Sequence, residues 1–68
     1  MKCFGERLKE LRIAYGLTQM ELAQKIEYSQ SIIAFWENNQ REPVISSLKK
    51  LCDFFDVSAD YLLGLKDC

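Results

Sequence analysis

Cysteine is the residue type in this chain best suited to redox or metal chemistry, and its pattern supports neither. Cys3, Cys52 and Cys68 form an odd, widely spaced set in a chain without histidine, which fits no zinc-ligand spacing and no disulfide framework. The sequence also lacks a glycine-rich phosphate loop and a nucleophile beside a base. It therefore predicts no enzymatic activity, no metal site and no cofactor.

The composition predicts one small soluble domain spanning residues 1–68. Hydrophobic residues make up 49% of the chain and charged residues 28%, with a net charge of −1. The chain is charged almost from its first residue and has no stretch long enough to span a bilayer, so we expect a cytoplasmic protein without a membrane partner. The pI of about 5.3 argues mildly against a nucleic-acid partner, because nucleic-acid-binding domains are usually basic. Any such partner must be held by a few well-placed donors and by helix N-termini.

Residues 18–37 carry the pattern of two short helices joined by a tight turn, and the rest of the chain is organised around them. Thr18 and Glu21 have the spacing of a capping box, in which each side chain accepts from the other residue's backbone N–H. Ser29 is a second N-cap candidate. Apolar residues recur on one face of each helix: Leu22, Ala23 and Ile26 in the first, Ile33 and Trp36 in the second. Helices this short need further elements to cover their apolar faces.

Three further helices complete an all-α fold. The first is predicted over residues 4–15, with Gly16 as its stop signal. After the polar loop 38–43, another helix begins at Val44 or Ile45, and its apolar stripe contains Leu48, Leu51, Cys52 and Phe55. Ser58 caps a last short helix that Gly64 ends. The pattern shows no strand and no internal repeat.

These motifs resemble the Cro/CI-type (XRE-like) helix-turn-helix family of phage and bacterial repressors. The resemblance covers residues 4–64. It rests on Leu17-Thr18-Gln19, Glu21-Leu22-Ala23, Ser29 with Ile33, Trp36 and Glu37, Arg41-Glu42-Pro43, and the segment from Val57 to Gly64. It implies a compact five-helix, lambda-repressor-like DNA-binding domain. In such a domain the third helix, about residues 29–38, enters the major groove of double-stranded operator DNA, and the protein acts as a homodimeric transcriptional repressor.

The resemblance also implies the site residues. Base contacts would come from the start of the third helix and its next turn: Gln30, Ser31, Ile32 and Phe35. Phosphate contacts would come from Gln19, Ser29, Asn38, Asn39, Gln40 and Arg41. Arg12 and Glu37 would form a structural ion pair between the first and third helices. The dimer surface is expected at the last helix and tail, with Leu63 and Leu65 as candidates, and no small-molecule ligand is implied.

The sequence departs from the family pattern in three respects. Glu27 occupies the turn position that is usually glycine, which predicts either a strained turn or a different backbone path. Val44 stands where a Ser or Asp usually caps the fourth helix. Ile32, Ala34 and Phe35 are apolar at positions that are usually polar, and Ile32 and Phe35 would form an exposed apolar patch. This patch and the acidic pI favour an alternative function, in which the chain is a protein-interaction module that binds a regulator or toxin partner through its third helix. Gln30 and Ser31 would then be ordinary solvated residues.

Overall fold

Five α-helices follow one another in the computed structural model, which describes residues 2–65. They are α1 (Lys2–Ala14), α2 (Gln19–Ile26), α3 (Gln30–Glu37), α4 (Ile45–Phe55) and α5 (Ala59–Leu63). No strand occurs among these residues, so the predicted all-α class is confirmed. α1 ends one residue earlier than predicted. Tyr15 lies beyond it, and its hydroxyl donates to the backbone carbonyl of Phe55 at 2.9 Å.

Side-chain caps fix the starts of three helices. Thr18 Oγ1 accepts from the Glu21 N–H at 3.1 Å, and Glu21 Oε1 accepts from the Thr18 N–H at 2.9 Å, which confirms the capping box. Ser29 caps α3 and Ser58 caps α5, as predicted. Val44 provides no side-chain cap for α4. The local signals in the sequence therefore set most of the helix boundaries.

The turn between α2 and α3 is strained. Glu27 has φ +64° and ψ +42°, a left-handed conformation that costs a non-glycine residue about 1–2 kcal/mol. Lys50 of α4 reaches this turn, where its ammonium donates to the Ile26 carbonyl at 3.0 Å and lies 3.7 Å from the Glu27 carboxylate. The same ammonium lies 5.3 Å from the centre of the Tyr28 ring. Lys50 thus ties α4 to the turn and helps to hold its backbone path.

The hydrophobic core is built from all five helices. Its buried members are Phe4, Leu8, Leu22, Ala23, Ile26, Ile33, Trp36, Leu51, Phe55 and Leu62. All of the apolar residues predicted for the inner faces of α2 and α3 are among them. Leu48 and Cys52 of α4 are only half-buried, although they pack against the core. The hydroxyl groups of Tyr28 and Ser47 share a 2.6 Å hydrogen bond, which satisfies a buried polar group between the turn and α4.

α1 approaches the end of α3 most closely at Gly5. A Cβ atom at this position would lie 2.5 Å from the Glu37 carbonyl oxygen and 2.6 Å from the Trp36 carbonyl oxygen. The Gly5 N–H donates to Asn39 Oδ1 at 3.2 Å. Gly5 is therefore required by close backbone packing, which the sequence pattern did not predict.

Two further findings concern the cysteines and the helix lengths. Cys3 is disulfide-bonded, contrary to the expectation from cysteine spacing, whereas Cys52 is a free thiol. Burial, with a smaller contribution from the charge of Asp53, raises the pKa of the Cys52 thiol. Between residues 2 and 65, no helix has both the length and the apolar character needed to cross a bilayer.

Candidate nucleic-acid interface

A pair of glutamines joins the starts of α2 and α3. Gln30 Nε2 donates to Gln19 Oε1 at 2.7 Å, and Gln19 Nε2 in turn donates to Glu37 Oε1 at 3.0 Å. A glutamine amide carries two N–H donors and one acceptor oxygen. The bond to Gln19 uses one donor of Gln30, which leaves its second N–H and its carbonyl oxygen available on an exposed side chain. That donor and acceptor match the edge of adenine, where N7 accepts and the N6 amino group donates.

The glutamine pair is anchored on a nearly buried ion pair. Arg12 Nε donates to Glu37 Oε2 at 2.6 Å and Arg12 Nη2 donates to Glu37 Oε1 at 3.2 Å, while the Glu37 side chain is only 2% exposed. Arg12 Nη1 also donates to the Leu17 carbonyl at 2.8 Å. Hydrogen bonds therefore run from α1 through α3 and α2 to the exposed amide of Gln30. Such a chain restricts the orientation of each amide.

Of the four residues predicted to contact bases, the structure exposes Gln30 and Ser31 but not the other two. Ile32 and Phe35 are half-buried, and Ile32 packs against the core. The guanidinium carbon of Arg41 lies 4.7 Å from the centre of the Phe35 ring and covers it. The expectation of an open apolar patch on this face is therefore wrong, because Ile32 packs partly against the core and the Arg41 guanidinium lies over the Phe35 ring. Of the two observations that favoured the protein-interaction alternative, the acidic pI remains and the open apolar patch does not.

The six residues predicted to contact phosphates differ in how available they are. Asn38 and Gln40 are exposed at the end of α3. Asn39 has φ +58° and its side-chain oxygen accepts from Gly5, so its role in the free protein is to join the loop to α1. The Ser29 hydroxyl accepts from the N–H of Ile32 as the cap of α3. Gln19 is hydrogen-bonded to Gln30 and Glu37, and the Arg41 guanidinium lies over the Phe35 ring.

Charge at the start of α2 is fixed by the capping box. Hydrogen bonds from the Thr18 N–H and then from its hydroxyl hold the pKa of Glu21 below its usual range, with a smaller contribution from the charge of Lys25. Glu21 therefore stays anionic at neutral pH. This negative charge lies in the first turn of α2, where it suits the partial positive charge of the helix N-terminus.

Sequence reasoning missed two exposed apolar residues at helix starts. Met20 is 58% exposed in the first turn of α2, and Ile45 is 86% exposed at the start of α4. Met20 lies outside the apolar stripe of α2, which is a signal that could have identified it as exposed, whereas Ile45 has the spacing of the α4 stripe and gave no such signal. The glutamine pair had no comparable signal, because it joins two helices through side chains eleven positions apart.

The fold and this surface define a helix-turn-helix domain, in which a short capped helix packs across a second helix whose first residues are exposed and hydrogen-bonded. A profile of the helix-turn-helix family matches residues 8–62. The chain belongs to this family.

Its relatives are named as transcriptional regulators. The chain is 42% identical over 60 residues to the HTH-type transcriptional regulator ImmR of Bacillus subtilis, covering 88% of this chain and 47% of ImmR. It is 38% identical over 64 residues to SinR of Bacillus licheniformis, covering 93% of this chain and 58% of SinR. The chain thus spans about half the length of these relatives. An uncharacterized HTH-type transcriptional regulator of Archaeoglobus fulgidus is 31% identical over 61 residues, with 90% of this chain and 87% of that protein covered.

A solved structure has the same fold. The restriction-modification controller protein C.AhdI from Aeromonas hydrophila superposes with a TM-score of 0.80 at 34% sequence identity. The alignment covers 90% of this chain and 92% of that chain. The five-helix architecture is therefore shared over almost the whole of both chains.

Proposed function

We propose that this chain is a sequence-specific, double-stranded DNA-binding transcriptional regulator of the repressor type that inserts α3 into the major groove. The observation that carries the proposal is the amide of Gln30, which is exposed at the start of α3 and oriented by Gln19. An α-helix fits the major groove, and the first residues of a recognition helix are those that reach base edges. A pre-oriented amide reads an adenine without first losing side-chain freedom.

The same proposal includes a homodimer bound to a pseudo-palindromic operator, with half-sites about 34 Å apart. A single domain with a net charge of −1 attracts phosphates weakly, and a second linked copy supplies the missing affinity. Of the two residues expected at the dimer surface, Leu63 packs partly against the core of its own chain, whereas Leu65 is 67% exposed. Tyr61 on α5 is 41% exposed, but the Arg7 guanidinium carbon lies over its ring, 4.6 Å from the centre. Leu65 is therefore the better candidate for the contact between copies.

The test is selection from a random duplex DNA library at moderate salt, followed by binding to the selected sequence at several salt concentrations. We expect a two-fold symmetric consensus and a slope of about −0.9 in log K against log salt for each phosphate contacted. Gln30→Ala should cost about 1–3 kcal/mol and relax the preference at one position in each half-site. Gln24→Ala is the matched control, because it removes an exposed glutamine from the same pair of helices.

Two results would contradict the proposal. The first is that folded protein enriches no duplex sequence and binds every duplex with an affinity that is independent of salt. The second is that Gln30→Ala and Gln24→Ala leave the consensus equally unchanged, which would show that α3 does not read bases through Gln30.

A further inference from the structure

Arg41 reaches back from the loop onto the exposed face of α3. Phe35 follows Ser31 by four positions, so both side chains lie on the same face of the helix. The guanidinium carbon of Arg41 lies 4.7 Å above the centre of the Phe35 ring, within the range of a cation–π contact. The backbone directs this approach, because the N–H of Gln40 donates to the Phe35 carbonyl at 2.9 Å and folds the loop against the helix.

We infer that Arg41 is a base-reading residue, specific for guanine, and that Phe35 is the residue that positions it. The inference rests on the proposed function and assigns the two residues roles opposite to those expected from sequence, where Phe35 would touch a base and Arg41 a phosphate. A guanidinium stacked on a ring keeps its N–H donors in its own plane, along its edge. Two of those donors form the fork that binds O6 and N7 of guanine in the major groove.

The stack favours base reading over a phosphate contact. A phosphate contact does not require a fixed, planar fork, because a flexible lysine also binds phosphate as a point charge. The guanidinium of Arg41 instead lies above a side chain of the helix face that carries Ser31. The Phe35 ring has one face covered by this cation and is itself half-buried. It therefore has little surface left with which to contact a thymine methyl group.

The experiment measures the selected DNA consensus and the affinity for it of the wild type and of four variants. These are Arg41→Ala, Arg41→Lys, Phe35→Leu and the double variant Arg41→Ala/Phe35→Leu. We expect a guanine in each half-site of the wild-type consensus. Both Arg41 variants should lose preference for it by about 5- to 100-fold, since a lysine lacks the planar fork. Phe35→Leu keeps an apolar side chain but removes the ring, and should weaken the same guanine preference by about 2- to 5-fold. In the double variant the loss should equal that of Arg41→Ala.

A spectroscopic measurement tests the stack without DNA. In the free wild-type protein the Nε–H resonance of Arg41 should be shifted by the ring current of Phe35, and Phe35→Leu should abolish that shift. Lys49→Ala serves as the control for loss of one exposed positive charge on a helix outside the helix-turn-helix. It should leave both the consensus and the Arg41 resonance unchanged. Thermal unfolding followed by circular dichroism establishes that each variant is folded.

Three outcomes would overturn the inference. The first is that Arg41→Ala weakens binding uniformly for all sequences and reduces the salt slope by about 1, which is the behaviour of a phosphate contact. The second is that Phe35→Leu changes the preference for a thymine and leaves the guanine preference intact. The third is that the Arg41 resonance shows no ring-current shift in the wild type. By contrast, failure of the wild-type protein to enrich any duplex while the ring-current shift is present would refute the proposed function and not the stack.

Discussion

Replacing Arg12 with methionine would leave the carboxylate of Glu37 almost buried and without its charged partner. The Glu37 side chain is 2% exposed, and the shorter of its two bonds to Arg12 is 2.6 Å. Removing one partner of a buried ion pair costs about 3–5 kcal/mol, because the remaining charge keeps its desolvation penalty. The Leu17 carbonyl also loses a donor. A domain of this size has a free energy of unfolding of roughly 3–10 kcal/mol, so Arg12→Met should remove a third or more of its stability.

Changing both partners should cost far less than changing Arg12 alone. Apolar residues of similar size can replace a buried ion pair with little or no loss of stability. We therefore expect Arg12→Met/Glu37→Leu to be more stable than Arg12→Met by about 2 kcal/mol or more. The double variant nevertheless removes the Glu37 carboxylate to which Gln19 donates, so the Gln30 side chain should be less well oriented. The discrimination of this variant between bases should therefore fall even though the protein is folded.

Urea unfolding followed by the fluorescence of Trp36, which is 2% exposed, measures these free energies. The control is Lys49→Met, which breaks a 3.6 Å ion pair with Asp53 in which both side chains are more than 70% exposed. That variant should change the free energy of unfolding by less than about 0.5 kcal/mol. If Arg12→Met cost no more than this control, the buried pair would not hold α1, α2 and α3 together as we argue.

Two further predictions concern single positions. Gly5→Ala gains about 1 kcal/mol of helix propensity, but it places a Cβ atom 2.5 Å from a backbone carbonyl oxygen that cannot move aside as a side chain could. We therefore expect the free energy of unfolding to fall by about 2 kcal/mol and Tm to fall by roughly 8–16 °C. Equal or greater stability would contradict the close packing. Because the pKa of Glu21 is lower in the folded than in the unfolded chain, its capping box stabilises α2 above about pH 4.3 and the effect is lost as the pH falls through the folded-state pKa. Glu21→Ala should therefore lower Tm at pH 7 and have less effect at about pH 3, whereas the same difference at both pH values would show that the carboxylate charge is not involved.

The parts of the fold that the sequence predicted are those encoded by short-range patterns. The capping box of Thr18 and Glu21 and the left-handed position of Gly64 depend on residues within one helical turn. The apolar faces of α2 and α3 follow from the helical period. The strained turn at Glu27 was predictable as one of two alternatives, because glycine is absent from a position that the family usually fills with it.

The parts that the sequence did not predict all depend on how the helices dock. The contact of Gly5 with the end of α3 joins residues more than thirty positions apart, and the bond from Lys50 to the turn joins residues 24 apart. No periodicity in one helix reports such distances. The exposure of Phe35 was misjudged for the same reason, since its neighbour Arg41 lies in a loop whose path the sequence does not specify.

The acidic composition bears on how this surface achieves specificity. Because nine basic residues are offset by ten acidic ones, the electrostatic attraction that supplies most non-specific DNA affinity is weak. The structure instead orients a small number of donors before binding: the Gln30 amide through Gln19, and the Arg41 guanidinium through Phe35. Pre-orientation lowers the entropy cost of each base contact, and it does so only for the sequence that matches the donors. On our proposal, a protein of this kind should therefore bind non-specific DNA poorly while retaining a large ratio between its operator and other sequences.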